Sequence, residues 1–194
     1  MPGRSGLRIL LACARPLVLR GKNTISVDAT RPGEEMKAVK CGLRGIKREV
    51  WVTAYNAATL PEINTELQNA EPEYDILQFI GHGGEEGTLY FEDDRCTARP
   101  VAPDELARLV RGRVKLLVTM ACHSENLVKH LFSKGCEHPV PTAVCIMGEY
   151  PIETRAAELF SGALYSGLAR GQTIKRSFDD ALDAVRMAVS YTHL

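Results

Sequence analysis

A histidine and a cysteine each end a hydrophobic segment of this sequence, and together they could carry out nucleophilic chemistry. His82 closes the run YDILQFIGH and is followed by Gly83 and Gly84, and Cys122 closes the run VKLLVTMAC. A thiol becomes an effective nucleophile when an imidazole accepts its proton and a helix N-terminus favours the thiolate. Backbone N–H groups at the glycines could then hold the oxyanion formed by attack on a carbonyl.

The elements around these residues are predicted to bring them to one edge of a sheet. Short apolar runs alternate with helical patterns, so the fold class is α/β: a mostly parallel sheet flanked by helices on both faces, with right-handed crossovers. Side chains at the carboxyl ends of such strands share one edge, where open α/β sheets place their sites. The predicted strands are 7–14, 49–54, 74–81, 114–120 and 142–147, with a short extended piece at 88–91; the predicted helices are 34–43, 61–69, 103–110, 125–133, 153–169 and 174–187.

Length and composition restrict the kind of protein. The chain has 194 residues, 45% of them hydrophobic, and a formal net charge of zero. One globular domain is expected, and the charge gives no reason to expect contact with nucleic acid or with a membrane. The sequence shows neither a secretory signal nor an apolar stretch of spanning length, and its six cysteines are scattered, which favours reduced thiols and a cytoplasmic location.

Several motifs, taken in order, carry a resemblance to a known family. FIGHGG is followed by GTLYFED, then by LLVTMACHS, and then by AVCIMGEYPIETRAAELFSGALYSGLARGQTIKRSFDDALDAVR. This series resembles the CHAT domain, a caspase-like cysteine peptidase family related to caspases and separase. The resemblance extends over roughly residues 7–187 and is strongest from residue 74 onward.

The resemblance implies a caspase-like three-layer fold and a thiol protease that cuts a protein substrate with a cysteine–histidine dyad. By position, Cys122 would be the nucleophile, His82 the general base and acid, and the N–H groups of Gly83 and Cys122 the oxyanion hole. No cofactor is implied. The partners implied are a protein substrate and a sensor or regulatory module, possibly of helical repeats, that lies outside this chain.

Two positions depart from the family pattern. His123 stands where family members often have glutamate or glutamine, which places a second imidazole near the thiol; Tyr150 stands where they often have tryptophan, which leaves specificity open. The predicted substrate pocket consists of residues that follow the strands, and its carboxylates suggest a basic side chain at the cleaved residue, paired with Glu149. These pocket residues are Arg15, Glu85, Glu86, Glu149, Tyr150 and Glu153.

Three alternatives were weighed against the peptidase. Zinc could use Cys122, His123, His130, Cys136 and His138, but CxxC and HExxH motifs are missing, so no metal is expected. The glycines after residue 80 do not complete a dinucleotide fingerprint, and the neighbouring carboxylates would repel phosphate. The third alternative is a catalytically silent CHAT-like module for protein interaction.

The ends of the chain are expected to lie outside the domain. Residues 1–6 are predicted to be a flexible leader and residues 7–188 the CHAT-like domain. The last six residues, VSYTHL (189–194), resemble a translated sequencing adapter and are interpreted as an artefact.

Overall fold

The architecture is that of an α/β protein, with strands and helices alternating along the chain. The structure, a computed structural model, describes residues 6–16, 18–19, 25–26, 32–47, 49–133, 142–145 and 154–190. The strands are β1 (Leu7–Cys13), β2 (Val18–Leu19), β3 (Ile25–Ser26), β4 (Val50–Tyr55), β5 (Tyr74–Ile80), β6 (His82–Gly83), β7 (Leu89–Glu92), β8 (Ala98–Val101), β9 (Val114–Met120) and β10 (Ala143–Cys145). The helices are α1 (Pro32–Gly42), α2 (Leu60–Asn69), α3 (Pro103–Val110), α4 (Ser124–Leu131), α5 (Thr154–Ala169) and α6 (Ile174–Ser190).

A five-stranded sheet forms the centre of this architecture and confirms the predicted class, a mostly parallel sheet flanked by helices in a three-layer arrangement. Its strand order is β10-β9-β5-β1-β4. The pairs β1–β5, β5–β9 and β9–β10 are parallel. The order along the sheet reverses between β1 and β5, and such a reversal opens a crevice at the carboxyl ends of the two strands.

By its contacts the chain separates into two compact units. One comprises Met1–Leu7, Arg31–Trp51 and Ile152–Leu194; the other comprises Arg8–Thr30 and Val52–Pro151. The second unit contains most of the sheet and a continuous apolar core, in which Leu10, Leu77 and Leu117 from three neighbouring strands pack with side chains from α2, α3 and α4. Buried aliphatic side chains of this kind supply most of the stabilisation of such a unit.

In the first unit, three helices pack through small residues and an aromatic pair. A Cβ atom on Gly42 of α1 would lie 2.2 Å from the carbonyl oxygen of Gly162 on α5, so the two backbones are in direct contact. The rings of Phe160 and Phe178, on α5 and α6, meet edge to face with centroids 5.6 Å apart. The hydroxyl of Ser161 donates a 3.0 Å hydrogen bond to the buried carboxylate of Glu35.

The segment after β5 differs from the prediction. A short extended piece was expected at 88–91, but the segment forms a three-stranded antiparallel sheet in the order β6-β7-β8. Strand β8, which contains Pro100, was not predicted; among the described strands it pairs only with β7, at the edge of this sheet. Proline is tolerated on an edge strand because one side of that strand needs no ladder hydrogen bonds, yet it weakens the strand signal in the sequence.

None of the helices in the described ranges combines the length and the hydropathy that are needed to span a lipid bilayer.

Candidate functional site

The register of two neighbouring strands places His82 and Cys122 at equivalent positions. Ile80 at the end of β5 pairs with Met120 at the end of β9, and the N–H of Gly81 donates a 3.4 Å hydrogen bond to the carbonyl oxygen of Met120. His82 and Cys122 each follow their paired residue by two positions, and both side chains are half-buried. The predicted pair therefore lies at the carboxyl edge of the sheet, just beyond the ends of the adjacent strands β5 and β9.

Gly83 lies directly against the backbone of Cys122. A Cβ atom at position 83 would come within 2.0 Å of the Cys122 carbonyl oxygen and 3.1 Å of its carbonyl carbon. No side chain fits into that space, so glycine is required if the two backbones are to stay in contact. The structure thus places Gly83 where the sequence analysis put one half of an oxyanion hole, beside the cysteine.

Cys122 stands at a sharp turn from strand to helix. His123, the next residue, has φ +56° and is the N-cap of α4. Non-glycine residues seldom adopt this left-handed conformation, and such residues concentrate at functional sites. Helix α4 begins at Ser124, one residue before the predicted start, and the buried Ser124 hydroxyl donates to the carbonyl oxygen of Ala121. The turn holds Cys122 between β9 and the first turn of α4.

The loop that carries His82 is attached to the same helix. The side-chain amide of Asn126 donates a 2.6 Å hydrogen bond to the carbonyl oxygen of Glu85. Gly87, with φ +77°, approaches the backbone of α4 so closely that a Cβ atom would lie 2.3 Å from the nitrogen of Leu127. Asn126 was not expected at the site from the sequence, and Gly87 was considered only as one of the glycines of an incomplete nucleotide-binding motif.

The other described cysteines are less suited to nucleophilic chemistry. Cys13 at the end of β1 is fully buried. Burial, with a smaller contribution from the Glu125 carboxylate, raises the pKa of the Cys145 thiol to about 11, so this thiol stays protonated at neutral pH. Cys41 on α1 and Cys96 in the turn between β7 and β8 are exposed. Among the described cysteines, Cys122 alone combines partial exposure with a position just beyond a strand whose neighbour is followed by a histidine.

The predicted pocket residues have mixed outcomes. Arg15 is exposed, and its backbone N–H donates a 2.5 Å hydrogen bond to Glu92, a buried carboxylate that the sequence analysis did not select. Glu85 and Glu86 are exposed in the loop before β7. Glu149, Tyr150 and Glu153 lie outside the described residues, so the proposed pairing of Glu149 with a basic substrate stays untested.

The described residues contain no cluster of three or more histidine, cysteine, aspartate or glutamate side chains that could hold a metal ion. Of the five residues weighed as zinc ligands, Cys136 and His138 lie outside the described ranges. His130 lies instead on α4, with its Nε2 atom 2.7 Å from Oδ1 of Asp104.

Comparison with known proteins gives structural likenesses but no match to a known family. No family model matches this chain, and no curated protein matches it. Among solved structures it is similar to the NAD(P)H:quinone oxidoreductase from Methanothermobacter marburgensis, with 11% sequence identity and a TM-score of 0.44, over 84% of this chain and 99% of that chain. A likeness of this strength assigns no activity to the chain.

The absence of a matching family model or curated protein corrects the resemblance to the CHAT domain. The assignment to the CHAT domain is wrong by these comparisons, because neither the family models nor the curated proteins support a caspase-like protein. The prediction of a thiol protease, a cysteine endopeptidase under the control of a sensor module, is therefore also wrong. The alternative, a catalytically silent CHAT-like interaction module, is likewise unsupported. The motifs misled because short glycine-, histidine- and cysteine-containing turns recur at the strand ends of many α/β folds.

Proposed function

We propose that the carboxyl edge of the sheet is a reactive-thiol site that acts on a small carbon electrophile, with Cys122 as nucleophile and His82 as proton acceptor. The observation that carries the proposal is the register: two residues beyond the Ile80–Met120 pair, each of the two neighbouring strands is followed by a half-buried functional side chain. The proposal does not extend to peptide-bond cleavage.

The chemical step is attack by sulfur on carbon. The Cys122 sulfur forms a bond to the electrophilic carbon of a carbonyl group while its proton passes to His82, and the π electrons of the carbonyl move onto oxygen. The N–H groups of Gly83 and Cys122 are proposed to stabilise that oxygen, since preorganised backbone donors are effective where negative charge develops. The close contact of Gly83 with Cys122 supports this role because it keeps the two peptide units together.

The left-handed turn and the attachments to α4 support the same proposal. A reactive group must be held within a fraction of an ångström of its working position. Ser124 ties the turn to Ala121, and Asn126 ties helix α4 to the loop that begins at His82. Both segments that carry the reacting side chains are thereby fixed to a single helix.

Competitive alkylation of the native protein tests the proposal. Iodoacetamide forms a bond between sulfur and carbon and releases iodide and a proton, and peptide mass mapping measures the rate at each cysteine. We expect Cys122 to react faster than Cys41 and Cys96, although those two thiols are more exposed. Replacing His82 by Ala should slow Cys122 alone by at least about tenfold, because positioned acid–base groups typically contribute about 100- to 10,000-fold.

The matched control is His123→Asn. Asparagine accepts the left-handed conformation, so this variant removes the second imidazole without straining the turn. In this variant the alkylation rate of Cys122 should stay within about twofold of the wild-type rate, a change much smaller than the loss of a positioned acid–base group produces. The proposal is refuted if Cys122 is alkylated more slowly than Cys41 and Cys96, or if replacing His82 leaves the alkylation rate of Cys122 unchanged.

A further inference from the structure

A groove between α2 and α3 is lined by three arginines. It has a volume of about 430 Å³, and its polar lining residues are Arg99, Arg108, Arg113, Asn64 and Glu105. None of these residues belongs to the thiol site. Guanidinium groups carry their charge at every physiological pH, so the groove is permanently cationic. We call it the arginine groove.

Arg113 is held in a fixed orientation at the groove wall. Its Nη1 atom donates hydrogen bonds to Oδ1 of Asn64 at 3.1 Å and to the carbonyl oxygen of Leu109 at 3.4 Å, and the side chain is half-buried. A guanidinium has five N–H donors, so those on Nε and Nη2 are available for a ligand. Because the side chain is already ordered, a ligand that binds it loses less conformational entropy than it would with a mobile arginine.

The positive charge of the groove exceeds what its acidic residue can balance. Arg99 pairs with Glu105 at 2.8 Å, with the two side chains 41% and 35% exposed. Glu105 is the only carboxylate among the described residues that line the groove, so three arginines and one glutamate leave a surplus of two positive charges. Arg108 is exposed on α3 and adds a further positive charge, because Glu105, the carboxylate that lines the groove, pairs with Arg99.

We propose that the arginine groove binds a small molecule carrying two linked phosphate groups. Guanidinium forks match phosphate oxygens with paired, charge-assisted hydrogen bonds, and a surplus of two positive charges suits a ligand with at least two negative charges. The volume is within the range of small-molecule sites. Arg113 donates a hydrogen bond to the carbonyl oxygen of Leu109 near the end of α3. The charges of Arg99 and Arg108 are not needed for that hydrogen bond.

Calorimetric titration of the full chain with inorganic pyrophosphate tests the proposal. We expect saturable binding of one pyrophosphate per chain that weakens as salt is added, since exposed charges are screened. Arg108→Ala should weaken binding by roughly 10- to 150-fold, the range for one hydrogen-bonded charged contact. Arg108 is exposed, so this variant should fold normally.

Arg95→Ala is the matched control, because Arg95 is an exposed arginine in the turn between β7 and β8 and does not line the groove. It should leave pyrophosphate affinity unchanged. A second variant, Arg99→Ala, should weaken binding in the same direction as Arg108→Ala. The proposal is overturned if binding is not saturable, if Arg95→Ala weakens it as much as Arg108→Ala, or if citrate binds more tightly than pyrophosphate, which would indicate a carboxylate site.

Discussion

Gly83 lacks a side chain for a steric reason. The sequence analysis assigned this glycine to a backbone donor beside a reactive histidine, and the structure adds a second requirement, contact with the Cys122 carbonyl group. The contact could not be predicted, because it depends on how the loop after β5 returns across the end of β9. A glycine after a histidine in the sequence does not say which backbone will occupy the space of its missing Cβ atom.

Replacing Gly83 by Ala should therefore damage both stability and the site. The new Cβ atom would overlap the Cys122 carbonyl oxygen at 2.0 Å, so one backbone must move. We expect the free energy of unfolding to fall by about 1–3 kcal/mol, as for other overpacked positions, and the alkylation of Cys122 to slow. Urea denaturation followed by circular dichroism measures the first effect.

Gly33→Ala supplies the comparison. A Cβ atom at Gly33 in α1 would have no heavy atom within 4 Å, and alanine is favoured over glycine in helices by about 0.5–1 kcal/mol. This variant should be neutral or slightly stabilising. An equal loss of stability in the two variants would show that steric contact at Gly83 is not the cause.

Helices α2 and α3 begin in different ways, and the difference can be measured. Thr59 and Glu62 form a complete capping box at the start of α2, whereas Ala102 at the start of α3 has no side-chain cap. Thr59→Ala should lower the free energy of unfolding by about 1 kcal/mol, and Ala102→Ser should raise it by up to about 1 kcal/mol. Thermal unfolding should shift in opposite directions for the two variants, and a shift in the same direction would contradict the capping explanation.

A network of hydroxyl groups joins α2 to the strands. The carboxylate of Glu66 accepts hydrogen bonds from Tyr55, at 2.9 Å, and from Tyr74, whose hydroxyl also lies 2.8 Å from Oγ1 of Thr53. Burial, followed by the hydrogen bond to Glu66, raises the pKa of Tyr55 to about 12, and the same two causes raise the pKa of Tyr74.

These shifts predict instability in alkali. Tyrosine in the unfolded chain titrates near pH 10, so between about pH 10 and 12 the unfolded chain has lost the Tyr55 proton while the folded protein still holds it. The unfolded state then binds fewer protons, and stability falls as the pH rises through this interval. Urea midpoints measured from pH 9 to about 11.5 should decline, and Tyr55→Phe should reduce the slope; an unchanged slope would show that Tyr55 is not responsible.

The balance of charge over the whole chain affects its behaviour in solution. The sequence has 24 basic and 24 acidic residues and a pI near 7.0, so electrostatic repulsion between molecules is weakest at neutral pH. We expect solubility to be lowest near pH 7 and to rise at pH 8.5. Precipitation with ammonium sulfate across this range measures the effect, and a solubility maximum at pH 7 would contradict it.

The sequence predicted the layers of the fold better than its site. Apolar runs such as 74–81 and 114–120 are buried on both faces of the sheet, and hydrophobicity alone reveals such strands. The positions of His82 and Cys122 followed from the ends of those runs. The contacts that fix them, from Gly83, Ser124 and Asn126, depend on loop geometry that no local pattern encodes. The family resemblance failed for a related reason: short motifs describe local turns and do not specify a reaction.

The single tryptophan of the chain determines what an optical experiment can observe. Trp51 lies on β4 at one edge of the sheet, 46% exposed, and its ring occupies the space that a Cβ atom on Gly6 would need. Its emission should be red-shifted and readily quenched by acrylamide even in the native protein. Intrinsic fluorescence will therefore report the fraying of this edge strand, and a loss of the red shift or of the quenching would show that the strand has become covered.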